Sequence, residues 1–199
     1  EVHCSAHRYR DTWASTFEVP THAFPAPVSA DHFELGERRG EDEKGIWKDP
    51  VTILVSGTLQ PRKGQLRAAR AIADLIEEGH DLRLLLVGYS GYFPSYVEAC
   101  HLEFVRRGLE DRLRIHGFVD DMRPMFAASE IVLCSSEDES QPQALLFGMA
   151  SGCLAISTPV GGVHEIIQDR FNGFIAGGVA ARPEERRVGN ERRARWAAY

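Results

Sequence analysis

The chain has 199 residues, 43% of them hydrophobic and 26% charged, enough to bury the core of one globular domain with at most a fragment of another. Twenty-three Lys and Arg against 29 Asp and Glu leave a formal charge of -6, so no basic field awaits a nucleic acid. The longest apolar runs, such as residues 84–87 and 131–134, fall far short of the roughly 20 residues that cross a bilayer, and any membrane contact is expected to be peripheral. Glu1-Val2-His3-Cys4 has no basic stretch leading into an apolar one, and Cys4, Cys100, Cys134 and Cys153 lack paired spacing. A cytoplasmic chain with reduced thiols and no zinc site is the expectation.

A short helix is expected over about residues 8–17. Residues 18–50 carry Pro20, Pro25, Pro27 and Pro50 and a charged run from Glu37 to Lys44, show no sustained period, and read as a connecting segment. From Val51 apolar runs alternate with amphipathic stretches punctuated by glycine, the pattern of a parallel sheet with crossover helices. Val51–Ser56 is a buried strand closed by Gly57. In the helix that follows, Leu66, Ala69, Ala73 and Ile76 share one face, Arg67 and Arg70 point away from it, and Gly79 serves as the C-cap. Leu82–Val87 is the second strand. Pro94–Gly108 is a helix with Val97, Cys100 and Phe104 inward, followed by a strand at Arg112–Ile115 and a short helix near Asp121–Ala128. A strand at Ile131–Ser135, a helix from Pro142 to Ala150, a strand at Cys153–Ser157, a short helix at Val163–Ile167 and a last strand at Phe174-Ile175 complete the series. The fold class is α/β, a doubly wound parallel sheet of Rossmann-like type over residues 50–178. Residues 179–199 are Arg-rich, poor in large apolar groups and expected to be disordered. The run from Arg186 to Trp196 also resembles translated sequencing-adapter sequence.

In such a sheet the loops at the C-terminal strand ends carry the chemistry. Gly57-Thr-Leu-Gln-Pro-Arg-Lys-Gly64 sets Arg62 and Lys63 ahead of a helix N-terminus, where amide donors and the helix dipole favour an anion; a solvated basic turn is the plain alternative. It is not a P-loop, because Lys63 precedes Gly64. In Ser135-Ser-Glu-Asp-Glu-Ser-Gln-Pro-Gln143, Ser140 and Gln143 form a capping box at the next helix and Pro142 suits its first turn. Helix-dipole stabilisation accounts for one or two of Glu137, Asp138 and Glu139, and hydrogen bonding to sugar hydroxyls is the sharper reading for Glu139. Thr158-Pro-Val-Gly-Gly-Val163 lets the backbone of Gly161 and Gly162 approach a ligand. In His116-Gly-Phe-Val-Asp-Asp121, Gly117 and Phe118 offer backbone groups and a ring to a base, although such a Phe is more often core. His164-Glu165-Ile-Ile-Gln168 is not a zinc motif, and no GxGxxG follows the first strand, which argues against a dehydrogenase.

Gly57…Arg62-Lys63-Gly64, His116-Gly-Phe118, Glu139-Ser-Gln-Pro142 running into Met149-Ala-Ser-Gly152, and Thr158-Pro-Val-Gly-Gly-Val-His-Glu-Ile-Ile167 are ordered and spaced as in one family. Together they resemble the nucleotide-sugar-binding C-terminal domain of family 4 glycosyltransferases, also called glycosyl transferases group 1, two-domain enzymes of GT-B fold. The resemblance covers about residues 18–178, and Ala26-Pro-Val-Ser-Ala-Asp-His-Phe33 is similar to the segment joining the two domains.

What the resemblance implies falls on particular residues. Lys63 matches the lysine that neutralises the donor diphosphate, with Arg62 assisting. Glu139 matches the first glutamate of a Glu-x7-Glu motif, which contacts the donor hexose. Ser140 follows it in the same loop, and Gly161 and Gly162 match the loop near sugar and phosphates. The backbone at Gly117 and Phe118 matches the base-contacting turn. The chain departs from the family at two positions: Phe147 stands where the ribose-binding second glutamate belongs, and Thr58 replaces an arginine after Gly57. The donor implied is a UDP-, GDP- or ADP-sugar. The reaction implied is hexosyl transfer with retention, without metal or cofactor, to a glycan or lipid-linked acceptor held by an N-terminal domain of which residues 1–49 contain only a remnant and the linker. Without that domain the chain is expected not to turn over alone. A degenerate binding module with Phe147 closing the ribose site, and a sugar-nucleotide epimerase of the same architecture, remain alternatives.

Overall fold

The computed structural model describes residues 50–176 continuously, together with 2–4, 7, 10, 14–16, 20–23 and 26–41. The helix expected over 8–17 lies mostly outside the described residues, and the tail 179–199 wholly so. Strands β1 (Val2–Cys4) and β2 (Thr21–Ala23) pair in parallel as a separate two-stranded ribbon. They are followed by α1 (Ala30–Glu41), a 12-residue helix inside the stretch read from sequence as an irregular connection. Its inward positions are His32, Leu35 and Gly36, spaced as helix neighbours. A histidine and a glycine on the buried stripe hide the helical period from an apolar count.

The main domain runs β3 (Val51–Ser56), α2 (Gln65–Glu77), β4 (Leu82–Val87), α3 (Pro94–Val105), β5 (Leu113–His116) and α4 (Arg123–Ala127). It continues with β6 (Ile131–Cys134), α5 (Gln143–Ala150), β7 (Leu154–Ser157), α6 (Val163–Ile166) and β8 (Phe174–Ile175). The six main strands lie in the order β5-β4-β3-β6-β7-β8 and every pairing is parallel. This is the doubly wound order expected of the sequence.

Strand pleating divides the core in two, because successive side chains leave a strand on opposite faces. Ile53, Val55, Leu84 and Leu86 point to one face and meet Ala69, Ile72 and Ala73 of α2 and Cys100 and Phe104 of α3. Leu54, Val132 and Ala155 point to the other and meet Phe126 of α4, Leu145 of α5 and Val163 of α6. Burial holds the Cys100 thiol at a pKa of about 11, so it stays protonated in the core. Cys100, Cys134 and Cys153 are buried thiols, none of them in a disulfide among the described residues. Among the described residues no helix is long and apolar enough to cross a membrane.

Gly79 ends α2 as expected: one residue past the C-cap Glu78 it takes φ of 95°, its amide donates to the Ile76 carbonyl at 2.9 Å, and the His80 amide donates to the Leu75 carbonyl at 3.1 Å. One local expectation fails. Pro142 is the N-cap of α5 and no side chain caps it, so the capping box expected from Ser140 and Gln143 does not form there. The Ser140 carbonyl instead accepts the Gly162 amide at 2.8 Å.

Helix α5 sits close on the sheet because Gly148 lacks a side chain: a Cβ there would lie 2.5 Å from Val132 Cγ1 and 2.8 Å from Val132 Cβ. Gly148→Ala should therefore destabilise the domain by about 1–3 kcal/mol through overpacking, more than alanine's advantage of up to about 1 kcal/mol in a helix interior. Urea denaturation measures this, and an unchanged or raised midpoint would contradict it.

Candidate functional site

The sheet is built outward in both directions from β3 and β6, and the loops that leave the C-terminal ends of those two strands border one crevice. The first loop turns through a 3-10 helix, Pro61–Lys63, into Gly64 at the N-cap of α2. The second runs from Ser135 to Pro142. They touch at Gly64, whose φ is +68° and where a Cβ would stand 2.0 Å from the Ser135 carbonyl oxygen. Only glycine meets both demands.

Four hydrogen bonds stitch the loops together. Ser135 Oγ donates to the Lys63 carbonyl at 2.9 Å, and the Glu137 amide donates to the Arg62 carbonyl at 2.8 Å. The Arg62 guanidinium donates to the Asp138 carbonyl, and the Arg67 guanidinium to the Ser135 carbonyl, each at 2.6 Å. Arg67 thus reaches into the site instead of pointing away as helical spacing predicts. A long side chain can leave its helix face when a carbonyl lies within reach.

At the centre Lys63 Nζ lies 2.5 Å from Glu139 Oε1, with the two side chains only 21% and 12% exposed. The lysine stem runs back across Gly57, where a Cβ would lie 3.6 Å from Lys63 Cε. Ser136 Oγ donates to the same Glu139 oxygen at 2.7 Å. The loop after β7, residues 158–163, packs against the backbone of this segment. Thr158 Oγ1 donates to the Ser136 carbonyl at 2.6 Å. A Cβ at Gly161, where φ is +49°, would fall 1.5 Å from the Glu139 carbonyl oxygen. Lys63, Arg62, Glu139, Ser140, Gly161 and Gly162 are therefore brought together where the three loops meet.

Other expectations are redistributed. The amide of Leu66 at the start of α2 is occupied by Tyr96 Oη at 3.0 Å, so this N-terminus is less open to an anion than the sequence reading supposes. Burial raises the pKa of that tyrosine, keeping its hydroxyl neutral. Thr58 contributes its carbonyl, which accepts from Gln65 Nε2 at 3.0 Å. Gln65 is fully buried, and its Oε1 accepts the Gln60 amide at 3.4 Å. It holds the first loop from beneath and sequence reasoning missed it, since a lone glutamine after Gly64 carries no signal. Beyond β4 and β5, Gly117 faces open space, and Phe118 is 70% exposed, not core. The Phe147 ring stacks on His32 of α1, centroids 5.0 Å apart and 12° between planes. Among the described residues no group of three or more His, Cys, Asp or Glu side chains is placed to hold a metal ion.

This arrangement can meet a diphosphate with Lys63 and offer a carboxylate, Glu139, to hydroxyl groups beside it. The family model of glycosyl transferases group 1 matches residues 50–184. N-acetyl-alpha-D-glucosaminyl L-malate synthase of Bacillus anthracis is 36% identical over 145 residues, which are 72% of this chain and 36% of that protein. D-inositol 3-phosphate glycosyltransferase of Xylanimonas cellulosilytica is 26% identical over 162 residues, 80% of this chain and 38% of that one. The chain thus spans little more than a third of these relatives. Among solved structures, a glycosyltransferase from Rickettsia africae superposes with a TM-score of 0.74 at 20% identity, covering 88% of this chain and 48% of that one. HepE of Anabaena in complex with UDP and glucose superposes with a TM-score of 0.72 at 21% identity, covering 87% and 48%. The fold is that of the Rossmann-like half of a GT-B architecture, and the chain belongs to the family of group 1 glycosyl transferases.

Proposed function

We propose that these residues form the donor-binding half of a glycosyltransferase that moves a hexose from a nucleoside-diphosphate sugar to a glycan or lipid-linked acceptor, with retention of configuration. The observation that carries this is the Lys63–Glu139 contact at the switch of strand order, with Gly161 packed against the Glu139 backbone. HepE with UDP or UDP-glucose bound supports a uridine donor.

The geometry supports a division of labour. The two groups hold each other while the crevice is empty of donor. A diphosphate carries more charge than one carboxylate, so Lys63 exchanges Glu139 for phosphate oxygens when the donor enters. Glu139, still held by Ser136 Oγ, then turns its carboxylate to the hexose hydroxyls. As the bond from anomeric carbon to phosphate oxygen breaks, negative charge grows on the leaving diphosphate. Lys63, with Arg62 at the crevice rim, stabilises that charge without reorganisation.

A second reading is a non-catalytic binding module. The stacking of Phe147 on His32, at the position the family gives to a ribose-binding glutamate, favours it. Titration calorimetry with UDP separates the two, since the module gives no heat and the donor site gives saturable binding.

Lys63→Ala should weaken UDP binding by at least about tenfold, the worth of one charge-assisted hydrogen bond, and lower kcat/KM of the complete enzyme by about 10²–10³. Unchanged affinity and turnover would remove Lys63 from the site. Glu139→Gln releases Lys63 from its carboxylate, so UDP should bind as well as or better than in the wild type. The variant should lose any preference for UDP-glucose over UDP. Calorimetry with both ligands reads the difference, and a variant that keeps the preference contradicts the hexose role.

A further inference from the structure

Residues 26–37 are fastened to the donor loop and to α5 by contacts the donor chemistry does not use. The Ala26 amide donates to Gln141 Oε1 at 2.7 Å, and Gln141 is buried two residues after Glu139. His32 Nδ1 and Ser151 Oγ share a hydrogen bond of 2.8 Å across 119 residues of sequence. The same imidazole lies flat on Phe147 and meets Phe126 edge-on, centroids 5.6 Å apart. Asp31 pairs with Arg123, which also holds Asp121 at 2.9 Å. A Cβ on Gly36 would stand 2.4 Å from the Ala150 carbonyl oxygen, so α1 lies directly on the last turn of α5. Contacts therefore reach the C-terminal half of α5 and the loop that carries Glu139.

We propose that residues 26–37 are a positioning strap for the donor loop, with Gln141 and His32 as positioning residues that fix Glu139 through α5 and the Ser136–Pro142 segment. Phe147 belongs to this device. Where a carboxylate would face ribose, its ring supplies the flat surface on which the strap histidine docks. The strap couples what precedes the domain to the geometry of the crevice, and the coupling is reciprocal: whatever orders the donor loop also favours the docked strap.

Docking prefers the neutral imidazole. Burial first, and then the Arg123 guanidinium, lower the His32 pKa below its ordinary 6.5, while Asp121 and Asp31 oppose them. Ser151 offers His32 a hydroxyl and Phe147 a ring. A pKa lowered on docking means the strap is held above the ordinary value and loosens as pH falls below 6.5 towards the docked value.

Amide hydrogen exchange on the whole chain tests the strap without any ligand. In Gln141→Ala and His32→Ala, protection of the Glu137 and Gly162 amides should fall by about tenfold or more, while β4 and β5 keep theirs. In the wild type, protection of the same two amides should also fall as pH drops below 6.5, and in His32→Ala it should not. Unchanged loop protection in Gln141→Ala, or a loss shared equally by β4 and β5, overturns the proposal. The UDP arm rests on the donor reading: the alanine variants should bind UDP more weakly. If wild type binds no UDP, the donor reading fails and the exchange result alone decides the strap.

Discussion

The ion pair between Lys63 Nζ and Glu139 Oε1 joins loops 76 residues apart in sequence, and the rest of the site is arranged around it. An unpaired lysine or glutamate as shielded as these would carry a heavy desolvation cost, so each needs the other while no donor is present. That mutual need makes the site responsive. Under the proposed function an incoming diphosphate would compete for the lysine and free the carboxylate in the same event, which would couple phosphate recognition to sugar recognition.

The sheet makes the pairing possible. Its strand order reverses between β3 and β6, which opens a crevice at their C-terminal ends and brings the loops that leave them side by side. Gly64 and Gly161 then let backbone meet backbone at distances no side chain would allow. Beneath the first loop Gln65 is fully buried and satisfied by loop backbone groups. The charged groups are held by a scaffold of short contacts that leaves them little freedom, and this preorganisation makes a fixed cation effective at a developing charge.

Much of this was legible in the sequence, for a physical reason. β-branched and leucine-rich runs of strand length, each closed by a glycine, specify a buried parallel sheet, and the helices between them show their apolar faces. The loops at the strand ends follow from topology. What the sequence hid depends on tertiary contact. Helix α1 turns His32, Leu35 and Gly36 inward, a stripe with too few apolar residues to register as a period. Arg67 obeys its helical spacing as far as Cβ and then reaches the Ser135 carbonyl. The capping box at Ser140 does not form because α5 starts at the N-cap Pro142, and the Ser140 carbonyl is held by the Gly162 amide, a partner 22 residues away that no local rule anticipates. Phe147 read as a departure from a family pattern, and its stacking partner could not be inferred until α1 was seen to lie on α5.

A structure of the chain with UDP bound tests the central claim most directly. The account predicts a phosphate oxygen within about 3 Å of Lys63 Nζ, with the Glu139 carboxylate released from the lysine and still held by Ser136 Oγ. A nucleotide bound away from the crevice between the β3 and β6 loops, or one bound beside an intact Lys63–Glu139 pair, would contradict it.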